Sequence, residues 1–583
     1  MLIALLLPIS NVFAESKVAI AKNDLSENSD IVLNTLEMEM MRSFEWLQNQ
    51  EIPPYWIEVA VTENQEQKII TSMGALVQKD HNHHRHLDID LRVGDYQLDN
   101  THTMIDGNWF SDEPTHFYHQ FPISNDPYVM QKTIWETMDE AQRTSARRYI
   151  KLQTNSNLKV EREDQSADFS KADAIVHLEK MPENNFSTQE LTMFLQDCST
   201  EFLNNPDVLE SEIILNMAQS TRWIVTTDGT KIREVRPHYR LSAIGESIAE
   251  DGMRLTSYEY KDMLSLEGVD IPELCSALVQ TASNSITELR NAPLIDPYVG
   301  PAILHGRAAA VFFHEILGHR SEGHRQKDEE EGQTLTDKVN AEIFPTFINV
   351  VDDPTLTNFE GEDLNGHYRY DDEGVAAQKV NIIENGVLKN FLMGRSPIEG
   401  FEESNGHGRR SAGRAPVSRQ GNLIVSSTKS VSYDALKAEL IKEIKAQNKP
   451  FGLIFDDISG GFTFTGRNYP NSYVVKPVTV WRIYPDGREE MVRGVDMIGT
   501  PLITFSQIAL TSDRNQVFNG MCGAESGWVP VSAVAPDILL KEVEVQRRSK
   551  ANDRPPILPQ PQNQTKQDDA QSKNLTQSKG DQQ

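Results

Sequence analysis

The chain has 583 residues, more than a single hydrophobic core serves, so two or more domains are expected. It carries 56 Lys and Arg against 86 Asp and Glu, a net charge of −30, which argues against the basic footprint that nucleic-acid binding needs. Three cysteines are too few for a disulfide scaffold, and beyond a short apolar start no run is long enough to span a membrane.

Residues 1–14 are apolar and close on Val12-Phe13-Ala14, with small side chains where signal-peptide cleavage needs them. No Lys or Arg precedes the run, so its positive charge rests on the amino terminus or on an upstream start. The expectation is export, periplasmic or secreted, with cleavage after Ala14 and no transmembrane segment in the mature chain. If the run is not a signal, the location is cytoplasmic.

An amino-terminal region, residues 30–290, reads as mixed helix and strand. Val32, Leu36, Met40, Phe44 and Leu47 recur at helical spacing until Pro53-Pro54. Strand-like runs follow at residues 55–61, 68–77 and 86–93, and the histidine tract between the last two, 80–86, reads as a polar loop. Residues 126–152 form a long helix with Trp135 and Met138 on its apolar side. A polar link at 161–165 leads to a helix opened by the capping box Ser187 and Glu190. Strands are expected at 213–216, 222–227 and 232–241, with Asp228-Gly229 as a hairpin turn, then a helix from Pro272 to about Leu289. Cys198 and Cys275 fall in helical segments and read as buried free thiols, a bridge being open to them only in an oxidising compartment. Hairpins without strict βαβ alternation make this region α+β.

From 293 to 548 the pattern becomes β-rich. Asn385-Gly386 and Asp486-Gly487 each divide two strand-like runs, and one helix, 433–447, interrupts them. Ser459-Gly460-Gly461-Phe462 lacks the ending of a phosphate loop and reads as a turn. Residues 551–583 are polar with few apolar side chains, so a disordered tail is expected.

Chemistry is concentrated in Phe312-Phe313-His314-Glu315-Ile316-Leu317-Gly318-His319, which follows the helix-favouring run Gly306-Arg307-Ala308-Ala309-Ala310-Val311. Two neutral imidazoles suit zinc, and an adjacent carboxylate can take a proton from water. Histidines five apart are splayed by about 140° on an ideal helix, so the helix must bulge between them or end at Gly318. A catalytic zinc takes three protein ligands, and the candidates for the third are Cys522 in the Gly-flanked turn 519–523, Glu322 and His324. Glu322 is better placed to orient a histidine from behind, and His324 reads as an exposed loop residue. An isolated cysteine is ordinarily a buried small hydrophobe. Arg409, Arg410, Arg414 and Arg419 form a basic cluster; Arg410, Arg414 and Arg419 are candidates for binding a substrate carboxylate, unless they pair with local acids such as Glu402 and Glu403.

Tyr298-Val299-Gly300-Pro301-Ala302, the run from Gly306 to His319, Arg409-Arg410 with Pro416, Arg419 and Asn422, and Cys522-Gly523 with Val529-Pro530-Val531 together resemble the TldD/PmbA family of metallopeptidases. The resemblance covers residues 293–545. It implies a zinc-dependent peptidase with His314, His319 and Cys522 as ligands and Glu315 as catalytic base. It also implies unfolded or short peptides as substrates, admitted between two subunits of a homodimer or of a heterodimer with a related chain. A family branch without the motif serves as a partner subunit, so a non-catalytic zinc-binding scaffold is the alternative. The turn Gly523-Ala524-Glu525-Ser526-Gly527 replaces a lysine-containing one, so no lysine role is carried over.

Overall fold

The computed structural model describes residues 30–103, 113–155, 164–181, 188–328, 330–468 and 472–548, with 556 and 558. The signal segment 1–14, Ser187 of the capping box and nearly all of the tail 551–583 lie outside the described residues. Among the described residues, no helix is long and apolar enough to cross a membrane.

Two long hairpins build the amino-terminal sheet. Strands Pro54–Ser72 and Ala75–Val93 turn at Met73-Gly74, both at positive φ (47° and 90°), and strands Glu210–Thr226 and Lys231–Ile248 turn around Gly229. The four strands lie side by side in an antiparallel sheet, flanked by Phe117–Phe121, Val176–Leu178 and Arg254–Met263.

Strand alternation divides this sheet into two unlike faces. Val59, Val61, Leu87, Ile89, Trp223 and Val225 point to one side, under the helices Ile31–Leu47 and Pro127–Asn155. Further along the same side, Ile69, Ile213, Leu215, Leu241 and Ala243 lie under the helices Thr188–Ser199 and Ile271–Asn291. Neighbours in register on the other side are polar. His86, Thr62, Arg222 and Glu234 form one row, and His84, Asn64, Ser220 and Arg236 the next. This polar face is turned towards the carboxy-terminal part: Arg410 pairs with Asp88 at 2.7 Å, and Arg240 donates to the Asn519 carbonyl at 3.1 Å.

The helix expected near residue 30 starts at Asp30, whose carboxylate accepts from the Leu33 amide at 3.0 Å. Other expectations need correction. The three runs between 55 and 93 are two strands, because apolar breaks in a long hairpin are spanned by polar cross-strand pairs. For that reason the histidine tract is strand, not loop: Asn64 stands opposite His84 and Gln65 opposite His83. Trp135 is 47% exposed while Met138 is buried, so only the latter lies on the apolar side. Cys198 and Cys275 are joined in a disulfide rather than free, since their two helices pack with the Cα atoms 6.3 Å apart.

The carboxy-terminal part is a twelve-stranded mixed sheet. Its spine is the strand Gly527–Arg547, which pairs with Ile508–Ala524, Asn422–Ser427, Val495–Gly499 and Tyr298–Leu304. Helix Gly306–Ile316 lies within its core, with Ala308 to Phe313 all buried. Both Gly-containing hairpins form as expected, Asn385 and Gly386 at positive φ (48° and 80°) and Gly487 at 89°. Residues 459–462 are not a turn but part of the strand Gly452–Thr463, bulged between Ile458 and Gly460. The molecule is thus α+β, a mixed amino-terminal region followed by a β-rich part that carries the histidine helix.

Candidate metal centre

Strand Tyr298–Leu304 delivers the chain directly into the helix Gly306–Ile316. The helix's first free amides are satisfied by side chains from elsewhere: Gly306 N donates to Asp537 Oδ1 and Arg307 N to Gln516 Oε1, each at 2.9 Å. Gly306 also lies so close to the spine strand that a Cβ would stand 2.6 Å from the Ala535 carbonyl. The small residues therefore let the helix sink into the sheet.

At its other end the helix stops rather than bulges. Leu317 closes the last turn onto Phe313, and Gly318–Ser321 continue as a 3-10 turn. This change of winding brings the His314 and His319 rings to 5.0 Å between centroids, which a continuous helix would not allow. Gly318 is needed for proximity, since a Cβ there would fall 1.8 Å from Gln420 Oε1.

Cys522 arrives from the strand Ile508–Ala524, opposite Val529, so it sits within a hairpin strand and not in a turn. Its carbonyl is held by Arg419 Nη2 at 2.8 Å. Cys522 Sγ stands 3.3 Å from His319 Nε2, and the three donor atoms of His314, His319 and Cys522 all lie within 4.8 Å of one another. Two donors on one tetrahedral zinc are about 3.5 Å apart, from bonds of roughly 2.0 and 2.3 Å. All three side chains are buried, and His314 Nδ1 has no hydrogen-bonding partner among the described residues. Donor type, separation and an unpaired buried nitrogen all fit a zinc ion.

Electrostatics point the same way. Burial alone would raise the Cys522 thiol, but His319 and His314 drive it well below its ordinary value. Burial alone would lower His319, but Cys522 and Glu322 push it well up. Glu322 stands behind the ring, its Oε1 3.2 Å from His319 Nδ1, and is held by Arg325 at 2.8 Å and Arg419 at 3.4 Å. Burial opposes its charge, yet His319, Arg325 and Arg419 keep its carboxyl far below the usual range.

Glu315 is 6% exposed beside these donors, and its Oε2 has no partner among the described residues. Burial raises its pKa; His314 and His319 oppose that rise and Cys522 adds to it. Gly461 presses against this side chain, for a Cβ there would stand 2.8 Å from Glu315 Cγ. The group opens on a cleft of about 750 Å³ that also meets Tyr258, Tyr260, Asn519 and Trp528. Tyr260 donates to the Asn519 carbonyl at 2.9 Å, with the Arg240 and Arg307 guanidiniums each 4.5 Å from its ring centroid.

Sequence reasoning missed this tyrosine wall, because it comes from the amino-terminal sheet and only strand register places it. A signal for Gly461 did exist, since paired glycines inside a strand pattern mark a close approach. His324 is not fully exposed; it pairs with Glu525, the residue standing where a lysine turn was expected, and Arg325 also reaches Glu525 at 3.0 Å. Arg410 and Arg419 are buried and paired with Asp88 and Glu322, not with Glu402 or Glu403. Of the three candidate arginines only Arg414 is exposed.

Residues 298–547 match the family model described as PmbA/TldA metallopeptidase C-terminal domain. A metalloprotease of Archaeoglobus fulgidus is 27% identical over 296 residues, covering 50% of this chain and 60% of that protein. A zinc metalloprotease TldD homolog of Saccharolobus solfataricus is 26% identical over 283 residues, 47% of this chain and 58% of its own length. The chain thus spans less than two thirds of these relatives. The crystal structure of TldE from Thermococcus kodakarensis superposes with a TM-score of 0.58 over 89% of this chain and 100% of that one. At 14% identity that likeness establishes the fold alone. With the motif helix, the hairpin cysteine and the matched domain in agreement, residues 298–547 of the chain belong to the TldD/PmbA family.

Proposed function

We propose that this chain is a zinc-dependent peptidase, with His314, His319 and Cys522 holding the ion and Glu315 acting as general base on short or unfolded peptides. The observation that carries this reading is the convergence of three donors within 4.8 Å beside a buried carboxylate whose Oε2 is unpaired. Zinc held there supplies a Lewis acid that acidifies water and polarises a carbonyl. Glu315, its affinity for a proton raised by burial, takes the proton from attacking water and passes it to the departing amine. Glu322 holds the His319 ring by its Nδ1, leaving Nε2 facing Cys522. Gly461 leaves room for Glu315 on the cleft side.

The names of the curated relatives support the class of reaction. Partnership with itself or with a related subunit belongs to the same reading, supported by the likeness in fold to TldE. So does export, for the Cys198–Cys275 bridge persists in oxidising compartments.

The test is Glu315→Gln, assayed for zinc content and for cleavage of an unstructured peptide. Zinc retained with cleavage reduced by about two or more orders of magnitude is the expected result. Unchanged cleavage removes Glu315 as base. A folded natural chain that binds zinc yet cleaves nothing, alone or with a related subunit, would favour the scaffold alternative.

A further inference from the structure

A second cavity of about 510 Å³ lies between the polar face of the amino-terminal sheet and the segments 365–372 and 409–412. It adjoins the cleft of the candidate metal centre, since Met521 and Trp528 line both and are 49% and 65% exposed. The strand Lys231–Ile248 runs past both spaces, presenting Arg240 to the first and Arg236 to the second on one face. Four residues of strand separate them by about 13 Å, the reach of an extended peptide of similar length.

The charges of the cavity wall are mostly committed. Arg222 is bound by Glu234 and Asp372, Arg369 by Glu179 at 3.0 Å, and Arg410 by Asp88 at 2.7 Å. His238 faces Asp262 at 2.6 Å. Asp371 is taken up by backbone amides, Oδ1 accepting from Glu373 and Val375 and Oδ2 from Gly408 at 2.9 Å. Glu66 is exposed.

Two guanidiniums differ. Among the described residues, neither Arg236 nor Arg409 has a carboxylate within ion-pair distance. Arg236 donates only to the Asn365 carbonyl, at 3.0 Å. Arg409 is buried, donates to the Gln420 carbonyl and lies 4.6 Å over the Tyr368 ring. Burial, then Arg409, lowers the Arg236 pKa to about 10, so it remains a cation at neutral pH. Glu234 and Asp372 act on Arg236 from a distance, but neither guanidinium has a carboxylate in direct contact, and a carboxylate entering the cavity supplies that close partner.

We propose that Arg236, backed by Arg409, binds a carboxylate of the peptide substrate in this second cavity while the chain of that substrate runs past Met521 and Trp528 to the metal cleft. This rests on the peptidase reading and names the substrate class it takes: peptides bearing a carboxylate about four residues from the cleft. The carboxylate is either the peptide's own C-terminus or an Asp or Glu side chain. It also replaces the expectation for Arg410 and Arg419, whose charges are already neutralised.

Binding separates this idea from catalysis. A short fluorescent peptide is titrated onto full-length Glu315→Gln protein in three forms: free C-terminal acid, C-terminal amide, and amide with one internal Asp. The acid, or the Asp-bearing amide, is expected to bind roughly tenfold or more tightly than the plain amide. Arg236→Gln is expected to erase that difference, and Arg236→Lys to restore part of it. Which carboxylated form gains identifies the source. Equal binding of all three forms overturns the proposal, as does a preference that survives Arg236→Gln. Cleavage of the plain amide by the natural protein reports on the peptidase reading separately.

Discussion

Glu322 shows how much of the site depends on a residue that touches none of the donors' free faces. It accepts from His319 on one side and from Arg325 on the other, with Arg419 in ion-pair range at 3.4 Å and its whole side chain buried. A ring nitrogen engaged in this way fixes both tautomer and orientation. Glu322→Gln keeps the shape and removes the charge, so His319 loses its anionic anchor. Zinc affinity is expected to fall by about 10- to 100-fold, read by competition with a chromophoric chelator. A purely structural role would instead lower the melting midpoint of the zinc-free protein while leaving affinity unchanged. Gly318 and Gly461 work at the same scale by absence, keeping clear the space that Gln420 and the Glu315 side chain occupy.

Among the elements, the pair Thr188–Ser199 and Ile271–Asn291 is stapled by Cys198–Cys275 across 77 residues of chain. Closing a loop of that length removes about 4 kcal/mol of denatured-state entropy. Urea unfolding with and without reductant is expected to show a loss of this order, and the Cys198→Ser, Cys275→Ser double variant should match the reduced protein. An unchanged midpoint would mean that the bridge does not form. This staple illustrates what local pattern conveys and what it does not. Helical periodicity located both helices, yet whether two thiols meet depends on how helices pack, which periodicity does not encode. Short signals with their own stereochemistry were readable: Asn385-Gly386 and Asp486-Gly487 each turn between two paired strands. Strand lengths were not, because cross-strand partners stabilise polar stretches such as 80–86 that look like loop in isolation. In the site, His314, Glu315 and His319 share one local run and could be read together. The position of Cys522 beside them, and of Tyr258 and Tyr260 opposite, follows from register in two separate sheets.

At the scale of the whole molecule, the polar sheet face and the carboxy-terminal part meet through buried charges, and their balance makes a pH-dependent prediction. Arg410 faces two carboxyls, Asp88 at 2.7 Å and Glu58 at 3.3 Å. The two differ in state. Burial would raise Asp88, but Arg410, His116 and the Gly413 amide hold it below its ordinary value. Burial raises Glu58 to about 8 despite Arg410, with Asp90 and Glu373 adding to the rise. The signs therefore oppose. Asp88 contributes stability that is present above its unfolded pKa of about 3.9 and is lost as pH falls below that. Glu58 contributes stability that is full below about 4.3 and is lost as pH rises through about 8. Asp88→Asn leaves Arg410 buried without its ionised partner and is expected to cost about 3–5 kcal/mol at pH 7. Glu58→Gln mimics the protonated acid, so at pH 4, where the acid is protonated in both folded and unfolded chains, it should change stability by less than about 1 kcal/mol. At pH 9, where the natural chain must ionise Glu58, the same variant should be the more stable of the two in denaturant titrations. If Glu58→Gln instead destabilises equally at both pH values, the carboxyl is ionised throughout and the interface depends on both acids as charges.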